Sequence, residues 1–272
     1  MALRLTLLAA PPVPLEVEGV TPENIAGKSI AEVEKIEVFL GNRKEPLAEF
    51  FRVEGDVDGE QIDWEGDLSG VHWIGAEMTR GTIRVDGAVG RHLGSEMTGG
   101  TIEVEGDASD WVGGEMHGGL IHVHGRAGHL IGAAYRGSAR GMTGGTLLID
   151  GAAGNEIGHT MRRGLIAIGG DVGDLIGFNM LAGTILIQGE CGIRHGAGMR
   201  RGTIGLFGAE RPPMLPTFKY SCRFRPPMMS LLAAELRRHG FDVCEPISTG
   251  DVDLYHGDML DGGRGEILLP AA

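Results

Sequence analysis

Apolar and polar residues alternate in short stretches that recur through the middle of the chain. In the stretch TIEVE, residues 101–105, Ile102 and Val104 alternate with Glu103 and Glu105. A period of two residues places successive side chains on opposite faces of an extended strand. Similar stretches read TIRVD, TLLID, LIAIG and TILIQ. The pattern predicts a series of short β-strands, each with an apolar face directed inward and a variable face directed outward.

Each predicted strand closes a unit of 19 residues. In the regular units, the first glycine is followed by Gly after seven residues, Met after ten and Gly after thirteen; they begin at Gly87, Gly106, Gly151, Gly170 and Gly189. Two further units begin at Gly66 and Gly125, with two and seven inserted residues, and a degenerate unit precedes them. One short unit cannot bury its own apolar face, whereas stacked units form a continuous core. Residues 66–207 therefore predict an all-β fold, a right-handed parallel β-helix of about seven coils.

Stacked helical hairpins are the alternative for a repeat of this length. The chain contains 48 glycines, and glycine destabilises the interior of a helix. Glycine at two fixed places in each unit suits a turn in which a Cβ atom is excluded. The composition therefore favours β-coils.

The sequence divides into three segments, with predicted boundaries at 1–54, 55–208 and 209–272. The first reads as a strand (LRLTLL), a capped turn or short helix (TPENIAGKSIAEV) and two strands joined by a Gly-Asn turn. The last contains a predicted helix over residues 228–239, ended by Gly240, and a strand at GEILLP. Both are suited to cover the open ends of a β-helix, which would otherwise aggregate. The last segment is equally suited to dock a partner.

Composition narrows the classes of function. A net charge of −13 disfavours nucleic acid as a partner, because its phosphates would be repelled. The apolar run near the start is brief for a signal peptide, and no apolar run is long enough to span a membrane. The three cysteines, Cys191, Cys222 and Cys244, form no CxxC pair, which is typical of a chain in the reducing cytoplasm.

The stretch GGEMHGGLIHVHG, residues 113–125, concentrates three histidines, His117, His122 and His124. A zinc site needs three or four convergent ligands. When the units are aligned, neighbouring units place other residue types at all three histidine positions. We therefore expect no metal site, and we interpret the histidines as part of a surface.

The orientation of this stretch follows from the predicted strand. His122 and His124 alternate with apolar residues that point inward, so both imidazoles are expected to face solvent or a partner. In the aligned units, His124 lies between Glu105 and Asp150, and His122 lies beside Glu103. The sequence thus predicts an acid–histidine–acid ladder across neighbouring strands.

Positive charge gathers in the later units, on the turn that follows each methionine. The seven-residue insertion, around AAYRGSAR, is expected to add to this patch on the same side of the stack. The candidate binding residues are Tyr135, Arg136, Arg140, Arg162, Arg163, Arg200 and Arg201. Solvated turn charges are the default interpretation, but an insertion into a regular solenoid often marks its binding face.

No catalytic motif accompanies the repeat. The glycines have the spacing of coils, and no GK[ST] follows a strand, so they do not form a phosphate loop. Glu77, Glu96 and Glu115 precede methionines on the turns and resemble the carboxylates of a carbohydrate-cleaving β-helix only in a general way. A polysaccharide lyase or a binding module stays open as a second class, although only 5% of the residues are aromatic.

The tandem GxxGxxIGxxMxxGxIxIxG units resemble the GXGXG β-helix domain of the large subunit of glutamate synthase. The full arrangement, with its N-terminal strands, seven units and a tail containing GGRGEILL, is similar to the C subunit of formylmethanofuran dehydrogenase. It is equally similar to the C subunit of the related formyltransferase/hydrolase complex of methylotrophic bacteria. The resemblance covers nearly the whole chain.

The resemblance implies a non-catalytic scaffold subunit that binds no metal or cofactor of its own. Its implied partners are a formyltransferase subunit, an amidohydrolase-like subunit and a further subunit of the same complex. That complex moves formyl from tetrahydromethanopterin to a methanofuran-type carrier and hydrolyses it to formate in one-carbon metabolism. The preference for Arg over Lys favours the bacterial complex, and the C subunit of a tungsten or molybdenum formylmethanofuran dehydrogenase is the alternative. The arginines of the later units would then touch another subunit, or guide the polyglutamate tail of the carrier.

Overall fold

The computed structural model describes residues 2–271, which consist mostly of β-strands with few helices. The strands are β1 (Leu3–Leu7), β2 (Leu15–Glu16), β3 (Glu37–Leu40), β4 (Arg43–Pro46), β5 (Phe51–Gly55), β6 (Gln61–Glu65), β7 (Val71–His72), β8 (Thr82–Asp86), β9 (Thr101–Val104), β10 (Leu120–Val123), β11 (Thr146–Ile149), β12 (Leu165–Ile168), β13 (Thr184–Ile187), β14 (Arg201–Leu206), β15 (Lys219–Phe224), β16 (Val252–Gly257) and β17 (Arg264–Pro270). The helices are α1 (Pro22–Ile25), α2 (Ile30–Val33), α3 (Pro227–Arg238) and α4 (Glu245–Thr249). In the described part of the chain, no helix is both long and apolar enough to cross a bilayer.

The central strands form a parallel ladder in which each unit of the sequence contributes one strand. β6 pairs with β8, and pairing continues in chain order from β8 through β14. The register joins equivalent positions of successive units, as in the series Ile102, Ile121, Leu147 and Ile166. The predicted repeat, including its degenerate first unit at β6, is therefore confirmed.

The core lies along the inward faces of this ladder. Ile102 and Val104 are fully buried, whereas Glu105 is exposed, as the alternating pattern predicts. The methionine of every unit is also fully buried, and these residues are Met78, Met97, Met116, Met142, Met161, Met180 and Met199. Burying one such side chain contributes about 1.5–3 kcal/mol, so the stack is stabilised by a continuous apolar column.

Glycine at the second fixed position of the unit permits this packing. Gly94 has a φ of 60°, a left-handed conformation that is costly for most other residues. A Cβ atom on Gly94 would also overlap the Cδ1 atom of Ile121 in the next strand. The glycine therefore allows the isoleucine of the following coil to lie directly against the turn.

Antiparallel strands close the N-terminal end of the ladder. β1 pairs parallel with β6 on one side and antiparallel with β5 on the other. A separate sheet of four strands has the order β4-β3-β2-β7. The predicted first strand, the short helices α1 and α2, and the hairpin of β3 and β4 are confirmed.

The C-terminal segment adds to the same ladder. β17 pairs parallel with β14, and β16 and β15 follow antiparallel at the end of the 13-stranded sheet. The predicted helix is α3 and the predicted strand is β17, but the sequence did not indicate that β17 would extend the parallel ladder. The boundaries proposed at residues 54 and 208 stay a prediction.

The tail also covers the outer face of several strands. Leu148 and Leu186 point outward from β11 and β13, yet they are 0% and 1% exposed. They pack in a second apolar cluster with Met229, Ala233 and Leu236 of α3. Strands β11 to β13 thus bury residues on both faces, which differs from the half-buried strands that the period of two predicts.

Candidate functional site

The histidine stretch lies on β10, at the edge of the face that the tail covers. His122 is 4% exposed, and its ring lies 6.4 Å from the ring of Phe241 in the tail. The expectation that both imidazoles face solvent or a partner is therefore wrong for His122. The physical reason is that residues of the same chain, C-terminal to α3, fold back over this strand. His124 is partly exposed.

One carboxylate joins the two imidazoles. Oδ1 of Asp150 lies 2.8 Å from Nε2 of His122, and Oδ2 lies 2.7 Å from Nδ1 of His124. The predicted ladder is confirmed for His124 and Asp150. Glu103 pairs with His122 in the strand register, but its carboxylate lies nearer the other imidazole, with Oε1 3.7 Å from Nε2 of His124. The side chains of three neighbouring coils therefore converge in one histidine–aspartate cluster.

The electrostatics of this cluster favour charged side chains. Burial alone would lower the pKa of His124, but the hydrogen bond to Asp150 and the nearby carboxylate of Glu105 together raise it. Burial alone would raise the pKa of Asp150, but the hydrogen bonds from both imidazoles lower it. Three groups that could bind a metal do converge here, although the aligned units repeat no ligand type at these positions. The expectation that no metal binds stays a prediction.

Five of the six arginines singled out from the sequence lie between strands, and Arg201 is the first residue of β14. Five of the six are exposed and Arg162 is half-buried; the exposed ones are Arg136, Arg140, Arg163, Arg200 and Arg201. None of these six forms an ion pair with another residue in the range 2–271. In the earlier coils, by contrast, Arg84 pairs with Glu103 and Arg91 with Asp110. The later turns therefore present uncompensated positive charge on an acidic protein.

Tyr135 lies in a different environment from these arginines. Its backbone N–H donates to Glu115, and its hydroxyl donates to Oγ of Ser95 at 2.6 Å. Its ring stacks on Trp111, with the ring centroids 4.8 Å apart. The insertion therefore directs Tyr135 toward the earlier, acidic coils, and Tyr135 does not add to the basic patch as the sequence suggested.

Sequence reasoning missed the aromatic stack that receives Tyr135. Trp73, His92 and Trp111 occupy equivalent positions in three successive coils, each with a positive φ. The Trp73 and His92 rings are parallel within 10° at 4.1 Å, and Nδ1 of His92 lies 3.0 Å from the hydroxyl of Tyr135. The signal in the sequence was the recurrence of aromatic residues five positions after the first glycine of two units.

Burial dominates the chemistry of this aromatic stack. It lowers the pKa of His92 to about 4, with His72 and Arg91 acting in the same direction. It raises the pKa of Tyr135 to about 12, partly opposed by the hydrogen bond to Ser95. Both side chains are therefore neutral at pH 7, and the stack acts as packing that fixes the insertion.

Two of the three cysteines, Cys191 and Cys244, are not activated as nucleophiles. Burial raises the pKa of Cys191 to about 11 and also raises that of Cys244. A thiol must ionise to act as a nucleophile. These two thiols are therefore protonated at neutral pH, which is typical of structural cysteines.

Comparison with known proteins defines the class. The family model described as the GXGXG motif matches residues 70–213, which is more than half of the chain. A solved structure agrees with the chain over 99% of its length at 33% identity. The chain therefore belongs to the GXGXG family, and the resemblance read from the repeats is confirmed.

The relatives within this family are specific. The solved structure is a chain of the formyltransferase/hydrolase complex from Methylorubrum extorquens, determined with methylofuran; the TM-score is 0.89 and all of that chain is covered. The chain is also 42% identical over 93 residues to the C subunit of tungsten-containing formylmethanofuran dehydrogenase 2 from Methanothermobacter marburgensis. It is 38% identical over 83 residues to the C subunit of molybdenum-containing formylmethanofuran dehydrogenase 1 from Methanosarcina barkeri. These two alignments span 34% and 28% of the relatives, about a third of their length.

Proposed function

We propose that the chain is a non-catalytic scaffold subunit of a cytoplasmic formyltransferase/hydrolase complex in one-carbon metabolism. The observation that carries this proposal is the full-length likeness to a chain of such a complex. A likeness that includes the N-terminal strands and the C-terminal tail, as well as the coils, favours a shared role in assembly. The proposed partners are a formyltransferase subunit, an amidohydrolase-like subunit and a further subunit.

The architecture suits a scaffold. We interpret the parallel ladder as a right-handed β-helix of about seven coils over residues 55–208, with end segments 1–54 and 209–272. Its in-register pairing, with one strand from each unit, supports this interpretation. A rigid column of stacked coils presents each turn at a fixed height, so separate partners can bind at separate levels.

The arginine turns are the proposed contact surface. Arg136, Arg140, Arg162 and Arg163 make no ion pair within residues 2–271, so their charge is available to an acidic surface or ligand. We favour another subunit as the occupant. The alternative occupant is the anionic tail of a methanofuran-type carrier. The complex would use this carrier together with tetrahydromethanopterin. We propose that neither compound is a cofactor held by this chain itself.

A pull-down of the tagged chain from its native cells tests the scaffold role. We expect the formyltransferase and amidohydrolase-like subunits to co-purify in fixed proportions, and formyl transfer to require the assembled complex. Recovery of the chain alone, with an activity of its own, would contradict the proposal and favour a stand-alone carbohydrate-active or binding protein.

Substitution of the four arginines by alanine tests the contact surface. Loss of assembly supports contact with another subunit, and intact assembly with slower transfer supports binding of the carrier tail. The matched control is the variant Arg84→Ala/Arg126→Ala, because these arginines are already paired within the chain. An unchanged complex with unchanged transfer would eliminate both roles for the patch.

The local identity to formylmethanofuran dehydrogenase supports a second candidate, the C subunit of a tungsten or molybdenum enzyme of that kind. The same pull-down separates the two. Partners that contain tungsten or molybdenum would favour the dehydrogenase, whereas partners limited to the transferase and hydrolase would favour the first proposal.

A further inference from the structure

The histidine–aspartate cluster has the geometry of a metal-binding group. His122 lies on β10 and His124 directly follows its last residue, and their ring centroids are 4.1 Å apart. Asp150 approaches both rings from the following coil. Each of the three offers a ligand atom, and these atoms lie within 4.8 Å of one another.

Against the expectation drawn from the sequence, we propose that His122, His124 and Asp150 form a binding site for one divalent metal ion of the zinc type. The protein ligands are Nε2 of His122, Nδ1 of His124 and a carboxylate oxygen of Asp150, and water completes the coordination. The two nitrogens now lie 2.8 and 2.7 Å from the carboxylate. A tetrahedral zinc ion with bonds of about 2.0–2.1 Å holds its ligands about 3.3 Å apart, so small side-chain rotations admit the ion.

Glu103 lies beside the second ring nitrogen of His124, where a metal-binding histidine usually has a partner. Such a histidine usually donates its second ring N–H to a carboxylate, which fixes the tautomer and orients the ring. Oε1 of Glu103 lies 3.7 Å from Nε2 of His124. This distance is longer than a hydrogen bond, so Glu103 must move closer on metal binding to hold the proton on Nε2 and leave Nδ1 of His124 for the metal.

The local charge also suits a divalent cation. Arg84 neutralises Glu103 through an ion pair of 3.3 Å. Glu105 and Asp150 then contribute two negative charges beside two imidazoles. When both imidazoles are neutral, as metal ligands must be, a divalent ion balances these two charges.

The burial of the ligands indicates from which side the ion enters, and the ligand types indicate which ion binds. The side chain of His122 is 5% exposed beneath Phe241, whereas those of His124 and Asp150 are 31% and 34% exposed. The ion therefore approaches from the open side and ends against the tail. Two imidazoles with one carboxylate favour zinc and its neighbours over magnesium or calcium, which prefer oxygen ligands.

Titration of the full-length chain with zinc tests the proposal. The chain is purified with a tag that contains no histidine, treated with a chelator and dialysed. We expect one zinc per chain in calorimetry, binding at least about 100-fold weaker in Asp150→Asn and in His124→Gln, and a higher melting temperature with zinc in the parent only. The control is His117→Gln, which removes an exposed histidine outside the cluster and should bind as the parent does.

Cobalt distinguishes this site from the cysteines. Bound to His122, His124 and Asp150, Co²⁺ should give visible absorption without a near-ultraviolet thiolate band, and the absorption should disappear in Asp150→Asn. The proposal is overturned if the parent binds no zinc, if His117→Gln weakens binding as much as His124→Gln does, or if a thiolate band accompanies stoichiometric binding. Should Asp150→Asn fail to fold, the partly exposed His124→Gln variant decides the question by the same measurements.

Discussion

Acidification should destabilise the protein through His92, a half-buried histidine of the aromatic stack. Burial lowers its pKa to about 4, whereas an unfolded chain has a histidine pKa of about 6.5. As the pH falls below 6.5, the unfolded chain therefore binds a proton that the folded protein does not. The stabilisation is present above pH 6.5 and is lost as the pH approaches 4.

The size of this effect follows from the two pKa values. Between pH 7 and pH 5, the difference in proton binding lowers the free energy of unfolding by about 2 kcal/mol. The variant His92→Phe retains an aromatic ring between Trp73 and Trp111 but cannot titrate. We therefore expect the variant to lose about 2 kcal/mol less than the parent over this range, although it gives up the hydrogen bond to Tyr135 at both pH values.

Urea denaturation of both proteins at pH 7 and pH 5, followed by tryptophan fluorescence, measures the difference. His117→Asn is the matched control, because it removes an exposed histidine that lies outside the aromatic stack. An NMR titration of the His92 ring protons gives the folded pKa independently. Equal losses of stability in the parent and in His92→Phe would refute the reasoning, as would a folded pKa near 6.5.

Three further substitutions test the packing. Leu236→Ala removes a fully buried side chain of α3 and should lower the free energy of unfolding by about 3 kcal/mol in urea denaturation. The control Leu231→Ala, at a 73% exposed site, should change it by less than about 0.5 kcal/mol. Equal effects of the two substitutions would contradict the packing of α3 in the second apolar cluster. Gly114→Ala places a Cβ atom 2.9 Å from the hydroxyl of Tyr135, so it should lower the melting temperature in the parent but not in a Tyr135→Ala background. His195→Leu removes a buried ring whose Nδ1 has no partner among the described residues but whose Nε2 lies 2.9 Å from the carbonyl oxygen of Gly192. The two effects on the free energy of unfolding oppose each other, so it should change by less than about 1 kcal/mol; a larger change would contradict this balance.

The coils were predictable because their signals are local and repeated. Ile102 and Val104 alternate with acidic residues, and the same pattern returns every 19 residues, so register and burial follow from the sequence alone. The position of Phe241 over His122 depends instead on where a distant tail folds back. No local pattern in either stretch encodes that contact. The burial of Leu148 and Leu186 could have been predicted, because apolar residues at two outward positions indicate that another segment covers that face of the strands.

The candidate sites divide in the same way. The pairing of His124 with Asp150 was predicted because the ladder aligns equivalent positions of neighbouring units. The direction of Tyr135 was not, since a seven-residue insertion has no repeat to fix its path. It was decided by the aromatic stack and by Gly114, whose missing Cβ leaves room for the tyrosine ring.

The placement of the tail explains why the chemistry of the outer face changes along the ladder. On β8 and β9, the outward residues Arg84 and Glu103 are charged and paired with each other. On β11 and β13, the equivalent residues Leu148 and Leu186 lie under α3. His122 lies on β10, between the strands with charged outward residues and those with apolar ones. Its imidazole therefore packs near the tail and still contacts the carboxylate of Asp150. The polar cluster therefore lies where burial changes, with the side chain of His122 only 5% exposed and those of His124 and Asp150 31% and 34% exposed.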